Sequence, residues 1–324
     1  MARIDFIIPV YNEGPALERF HASLISALDD LREHTFRFLY VNDGSSDDTA
    51  QVLDRMSQSD PRTVPIELSR NFGHQAAISA GLDSFDADAV IMMDGDGEHP
   101  PALVPEMIRL FESGYDVVQT QRIDAHRKGF FLKRVTSAMF YGLINHLGET
   151  NVVSGAADFR LLSREAGDAL RRLREYHRFY RAMVHWIGFR IVVLPYTPAP
   201  RIEGRSKYSL GKMLGLAKDG MFSFSQAPLR LGFFVGGVFI LLAVAEIIYV
   251  LSFWIRGDTS SLVPGWSSLM VVLTISSGTS MFLIGILGIY IGMIFEEVKR
   301  RPVYLARQPK SAPSNQITGQ DAPG

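Results

Sequence analysis

The sequence predicts an α/β fold, a mostly parallel sheet with helices on both faces, followed by a C-terminal hairpin of two transmembrane helices. Two observations predict it. Over the first 200 residues, short β-branched runs alternate with helical patterns, the rhythm of a βαβ sheet. Beyond them the charge disappears: residues 231–255 hold one charged side chain, Glu246, and residues 261–295 hold none. Each stretch exceeds the ~20 apolar residues that cross about 30 Å of hydrocarbon, so each reads as a membrane-spanning helix.

The elements follow in order. Strands are expected at 5–10, 37–42, 65–68, 89–94, 116–120 and 191–194. The first helix is signalled by Leu17, Phe20, Leu24, Leu28 and Leu31, which recur at helical spacing and should face inward, with Asn12 and Pro15 marking its start. A second helix should follow Asp43-Gly44-Ser45-Ser46-Asp47, where a serine or aspartate can take up exposed N–H groups. The organisation expected is a domain at 1–200, a basic amphipathic juxtamembrane segment at 201–229, two spans within 230–297 (231–255 and 266–294) and a partly disordered tail at 298–324.

Composition excludes several classes of function. Thirty-three basic against 34 acidic residues leave a net charge of −1, which argues against a nucleic-acid partner. With no cysteine there is no disulfide, thiolate metal site or Cys nucleophile, so any metal must sit on oxygen or imidazole. The start, MARIDFIIPV, runs straight into a strand and lacks a signal-peptide apolar run. Lys212, Lys218 and Arg230 precede the apolar pair, Lys299, Arg300, Arg301 and Lys310 follow it, and Arg256 is the basic residue of the intervening loop. The positive-inside tendency therefore predicts a multi-pass protein with the large domain and both termini cytoplasmic; the membrane expected is the inner (plasma) membrane.

In Leu210, Met213, Leu214, Ala217 and Met221 we read one apolar helical face, suited either to the membrane interface or to packing on the domain. The interfacial reading is favoured because the segment directly precedes a span. Residues 130–147 are a second candidate of this kind. Glu246 is costly in lipid unless paired or protonated, so it is expected to face a neighbouring helix or subunit.

In open parallel sheets ligands bind beyond the carboxyl ends of the strands. Tyr11, Asn12 and Glu13 follow the first strand, Asn42 and Asp43 the second, and 94–98 the fourth, so three acidic clusters should converge on one edge. In MDGDGEHPP, Gly95 and Gly97 permit a sharp turn, and Asp94, Asp96 and Glu98 at alternate positions can reach one cation, Mg²⁺ or Mn²⁺ by their hard oxygens. Taken alone, the pattern is weak evidence for a metal and reads more often as a solvated acidic turn.

The motifs PVYNE, VNDGSSDDT, SRNFGHQAAISAGLD, MDGDGEHPP and SGAADFRLLSR, in this order, resemble family 2 glycosyltransferases of the GT-A fold. Within them the chain is most similar to the polyprenyl-phosphate sugar transferases, the dolichol-phosphate mannose synthase and bactoprenol glucosyltransferase group, from residue 4 to about residue 300. The resemblance implies that Pro9, Tyr11, Glu13 and Asp43 surround the nucleoside of a nucleotide-diphosphate sugar. It implies that Asp94 faces the sugar side and, with Asp96 and Glu98, forms the metal turn. The last of these is Gln in some relatives. Arg122 would meet phosphate oxygens, to which a guanidinium fork is suited. Asp158 stands where family 2 enzymes carry a catalytic aspartate and is assigned to acceptor positioning or base catalysis, with a buried structural carboxylate as the rival.

For the acceptor, Arg201, Arg205, Ser206 and Lys207 set three cations and a hydroxyl beside the first span. The resemblance implies that they bind the phosphate of a polyisoprenyl lipid such as undecaprenyl phosphate, although such a cluster also attracts anionic lipid without specificity. Such a phosphate is largely dianionic at pH 7, and in-line attack would invert the anomeric carbon. UDP-glucose is the favoured donor; UDP-N-acetylglucosamine, GDP-mannose and a modified arabinose remain open. A processive synthase fits poorly, because RFYRAMVHWIG around Arg181 and Trp186 lacks the Q-x-x-R-W spacing and two spans enclose no pore. A non-catalytic nucleotide-sugar sensor has no physical need for Asp94, Asp96, Glu98 and Arg122 together. His74, His99, His146 and His177 are expected to be ordinary hydrogen-bonded residues. Gly-rich spans can pack closely, and the resemblance implies a homo-oligomer, with a tetramer possible.

Overall fold

The computed structural model describes residues 1–123, 155–197, 227–256 and 265–307. Their strands are β1 (Arg3–Val10), β2 (Thr35–Asn42), β3 (Thr63–Glu67), β4 (Ala89–Met92), β5 (Val117–Arg122), β6 (Ala156–Ser163) and β7 (Ile191–Tyr196). They form one seven-stranded mixed sheet in the order β3-β2-β1-β4-β6-β5-β7. Pairing is parallel except at β6, which runs antiparallel to both β4 and β5. Six strands follow the expected positions. The seventh, β6, lies in SGAADFRLLSR, which the sequence reading took as a chemical motif and not as a strand. Its eight residues are all buried, so no alternation of polar and apolar positions advertises it.

The helices are α1 (Gly14–Ala27), α2 (Thr49–Ser59), α3 (His74–Ser84), α4 (Val104–Glu112), α5 (Arg164–Arg172), α6 (Tyr180–Trp186), α7 (Ala227–Arg256) and α8 (Trp266–Lys299). Two cores lie on opposite faces of the sheet. Ile4, Phe6 and Ile8 of β1 pack with Leu17, Phe20 and Leu24 of α1, Leu53 of α2 and Met107 of α4. Ile7, between them in sequence, faces Ile78 of α3, Leu170 of α5 and Met183 of α6. A strand whose successive side chains enter two cores must be apolar throughout, which explains the unbroken run in FIIPV. The α1 stripe is as expected up to Leu28; Leu31 lies past the helix and packs only partly buried. Before α2 it is Asp47 that takes up an exposed N–H, accepting from Thr49 at 3.1 Å.

Both expected apolar stretches are helical, and α7 and α8 contact each other. Within α8, Ile275–Lys299 is long and apolar enough to cross a membrane, and Met281 (70% exposed) and Phe282 (64%) lie open along it. Such uncovered apolar surface on a helix of this length suits lipid as its solvent. The side chain of Glu246 lies outside the described residues, as do the expected amphipathic segments at 130–147 and 210–221.

Candidate functional site

Three strand ends meet at the carboxyl edge of the sheet, as the clusters after β1, β2 and β4 require. Pro9 is buried within β1 opposite Val41, and Tyr11, Asn12 and Glu13 follow it. Asn12 adopts a left-handed backbone (φ 52°) and ties this loop to the next: its N–H donates to the Ser45 hydroxyl at 2.9 Å, and its side-chain oxygen accepts from the Ser46 N–H at 2.8 Å. The N–H groups of Glu13 and Gly14 donate to the Thr49 hydroxyl at 3.0 and 2.9 Å. Residues 11–14 and 45–49 are thus one hydrogen-bonded unit.

Asp43, 4% exposed, directly follows β2 and accepts the Phe72 N–H at 2.7 Å on one carboxylate oxygen and the Gly73 N–H at 2.9 Å on the other. Burial pushes its pKa above the ordinary carboxylate value, opposed by those two N–H donors. Its visible work is to clamp the loop that leads into α3. Gly44 (φ 63°) is pressed against that loop, since a Cβ there would stand 2.3 Å from the Arg70 carbonyl carbon.

The acidic turn leaves β4 at Asp94, whose N–H donates to His99 Nδ1 at 2.9 Å. His99 is buried and stacks on Phe159, with ring centroids 5.1 Å apart. Asp96 accepts the Glu98 N–H at 2.9 Å, and Gly97 supplies the left-handed conformation (φ 84°) between them. Burial, and then the nearby Asp94 carboxylate, raise the Asp96 pKa. Arg122, the last residue of β5, places its guanidinium 3.3 Å from Glu98. A Cβ on Gly95 would lie 3.3 Å from Glu13 Oε2, so the turn also abuts the loop after β1. Among the described residues no three carboxylate or imidazole side chains converge as a closed metal cage. Asp96 and Glu98 are hard oxygen donors of the kind Mg²⁺ and Mn²⁺ accept, and a site of one or two carboxylates completed by substrate phosphates fits what is present.

Asp158, on β6, is 6% exposed and held from two directions. Arg160 Nη2 lies 2.7 Å from Oδ1; Arg181 Nη2 and Nε, on α6, lie 2.7 and 3.1 Å from Oδ2. Burial alone would raise this pKa, yet the Arg181 and Arg160 charges outweigh it and hold the carboxyl well below the usual range. Arg160 is itself fully buried, donates to the Tyr180 and Ala157 carbonyls at 3.0 Å each, and is pulled down to about 10 by burial. His74, at the start of α3, stands 3.6 Å from Asp94 and 3.8 Å from Asp158, joining the two groups.

Of the residues singled out from sequence, Tyr11, Glu13, Asp43, Asp94, Asp96, Glu98, Arg122 and Asp158 all lie at this edge or in contact with its loops. Arg201, Arg205, Ser206 and Lys207 lie outside the described residues. His99 is the hydrogen-bonded core residue expected, and His177 pairs with Glu296 at 2.7 Å. His74 is not ordinary surface, and neither Arg160 nor Arg181 was singled out for the site. Arg160 was readable, because it sits two residues from Asp158 on one strand and so shares its face. Nothing local marks Arg181.

The model of the family described as Glycosyl transferase family 2 matches residues 5–171. The uncharacterized glycosyltransferase YkcC of Bacillus subtilis (strain 168) is 38% identical over 94% of this chain and 93% of its own length. The prophage bactoprenol glucosyl transferase homolog of Escherichia coli (strain K12) is 33% identical over 95% and 99%. Among solved structures, a mannosyltransferase from Pyrobaculum calidifontis in complex with GDP-Man and Mn²⁺ overlaps 87% of each chain at 14% identity. Its TM-score of 0.44 is too low to bear on the site.

Proposed function

The chain belongs to glycosyl transferase family 2, and on that premise we propose that it moves a sugar, glucose from UDP-glucose first among the candidates, onto the phosphate of a polyisoprenyl lipid at the cytoplasmic face of the plasma membrane. The observation that carries this reading is the meeting, at one sheet edge, of the acidic turn with Arg122 and of Asp158 between its two arginines. Likeness over nearly the whole chain to a protein named for bactoprenol glucosyl transfer supports the acceptor. Tyr176 N–H bonds Glu297 and His177 bonds Glu296, contacts that seat the sheet domain against the C-terminal end of α8 and support putting it on that side of a bilayer. The basic flanks of the helical pair support taking that side as the cytoplasmic one.

In this reading the loops after β1 and β2 seat the nucleoside, with Tyr11 and Glu13 lining it and Asp43 fixing the loop that closes it. Asp96 and Glu98, with Asp94 beside them, are the carboxylates that would hold Mg²⁺ or Mn²⁺, which when bound neutralises charge on the leaving diphosphate. Arg122 orients phosphate oxygens by its planar fork. The lipid phosphate, guided by Arg201, Arg205, Ser206 and Lys207, attacks the anomeric carbon through an oxygen. That bond forms as the bond to the nucleoside diphosphate breaks, with inversion. No proton need be removed, because the acceptor is already largely dianionic. A carboxylate held ionised by two guanidiniums is a poor base, so Asp158 serves by positioning Arg181 and His74 beside the reacting groups. The test is direct: incubate the full chain with undecaprenyl phosphate, Mg²⁺ and a panel of nucleotide sugars, and identify the lipid product by mass and its anomer by NMR coupling. No glycosylated lipid with any donor, or a product that retains the donor's configuration, would refute the reading.

A further inference from the structure

The segment after α8 turns back onto the sheet domain. Arg300 takes a left-handed conformation (φ 50°), and the chain then runs along the outer edge of the sheet beside β3. Leu68 and Ala306 form an antiparallel bridge. The Ser69 N–H donates to the Leu305 carbonyl at 2.8 Å, and the Arg307 N–H donates to the Glu67 carbonyl at 2.7 Å. The Arg307 guanidinium reaches the Ser69 carbonyl at 3.3 Å, and the Tyr304 hydroxyl donates to Asp83 at 2.9 Å. On its inner side Leu68, just past β3, is bonded to β2, its N–H donating to the Asn42 carbonyl at 2.9 Å. The strap therefore pairs with the C-terminal end of the β3 edge, at Glu67–Ser69.

What this strap grips leads straight into the site. Ser69 is held by Leu305 and Arg307; three and four residues later Phe72 and Gly73 are held by Asp43; between them Arg70 and Asn71 press on Gly44. A five-residue loop anchored at both ends has little freedom left, and a loop ordered beforehand does not draw its ordering cost from the ligand's binding energy. We propose that the strap, through Leu305 and Arg307 as positioning residues, presets loop 69–73 for the nucleotide, so that donor affinity depends on how α8 is seated. This rests on the reading of the Asp43 edge as the nucleotide site.

The experiment measures UDP and GDP binding, each with Mg²⁺, by calorimetry on the full chain in detergent, on a chain ending at Arg307 and on a chain ending at Pro302. The chain ending at Arg307 should bind as the full chain does. The chain ending at Pro302 should bind roughly ten-fold more weakly. Its KM for the nucleotide sugar should rise in step, with kcat within about two-fold, as expected for lost uniform binding. Arg307→Pro, which removes both the N–H donated to Glu67 and the guanidinium on Ser69 and leaves α8 intact, should weaken binding in the same direction and covers the case in which the shorter chain does not fold. Hydrogen exchange at the Phe72 and Gly73 amides should quicken in both. Unchanged affinity and exchange in these variants, even with a lowered Tm, would overturn the proposal and leave the strap as an edge seal. If the full chain bound neither nucleotide, the nucleotide site itself would be wrong and the proposal would fall with it.

Discussion

Replacing Asp158 by Asn tests the most unusual electrostatic feature of the site. The carboxylate sits 2.7 Å from Arg160 and 2.7 Å from Arg181, and Arg160 has no solvent exposure at all. Removing one partner of a buried pair leaves the other charge uncompensated, which costs about 3–5 kcal/mol. Arg160 keeps its bonds to the Tyr180 and Ala157 carbonyls, and Asn can still accept from a guanidinium, so Asp158→Asn belongs near 3 kcal/mol and Asp158→Ala near 5. Urea unfolding of the full chain in detergent, followed by tryptophan fluorescence, reads this as a lowered midpoint. The pH dependence has a definite sign. Asp158 has a folded-state pKa below its unfolded value of about 3.9, so its contribution is complete above that pH and is lost as pH falls further. The variant should therefore lose part of the acid-side decline in stability below about pH 4. Turnover should fall, yet the pH–rate profile near neutrality should keep its shape, because no base has been removed. Stability within about 0.5 kcal/mol of wild type would refute the buried-pair reasoning. A vanished acidic limb in the rate profile, the signature of a lost general base, would refute the positioning role.

Other substitutions probe separate parts of the edge. Gly44→Ala should destabilise by roughly 2 kcal/mol or more in the same unfolding assay, since it combines a left-handed backbone with a Cβ 2.3 Å from backbone carbon; a neutral result would mean that the loop yields freely. Asp96→Ala and Glu98→Ala should each lower kcat/KM by about 100-fold or more in the lipid-transfer assay, and a chelator should abolish product until Mg²⁺ or Mn²⁺ is restored. Full activity in the chelator would remove the metal from the reading. Arg122→Lys keeps the charge but loses the fork, so a drop of about ten-fold or more is expected, and an unchanged rate would show that only charge matters there.

Much of the fold is local chemistry. The apolar run of β1, the helical spacing of Leu17, Phe20 and Leu24, and the charge-free stretch of α8 each state their element within a few turns of chain. The carboxyl-edge rule then brings Glu13, Asp43 and Asp94 to one place without any coordinates. It does not say what each carboxylate touches there. Asp43, set around the nucleoside by the family resemblance, accepts the Phe72 and Gly73 N–H groups. Strand β6 escaped because both of its faces are buried, which removes the period of two that would reveal it.

The amino-acid order alone was enough to determine the class of fold, the two long C-terminal helices and which acidic turns share an edge, because these depend on periodicity and on strand ends. Tertiary structure alone decided that Asp158 is pinned by Arg181, 23 residues away, and that the stretch after α8 pairs with the sheet beside Glu67, 240 residues from Arg307. Such pairs meet only after the sheet order and the helix packing are set, and no local pattern encodes a contact whose partners are chosen by the path of the chain between them.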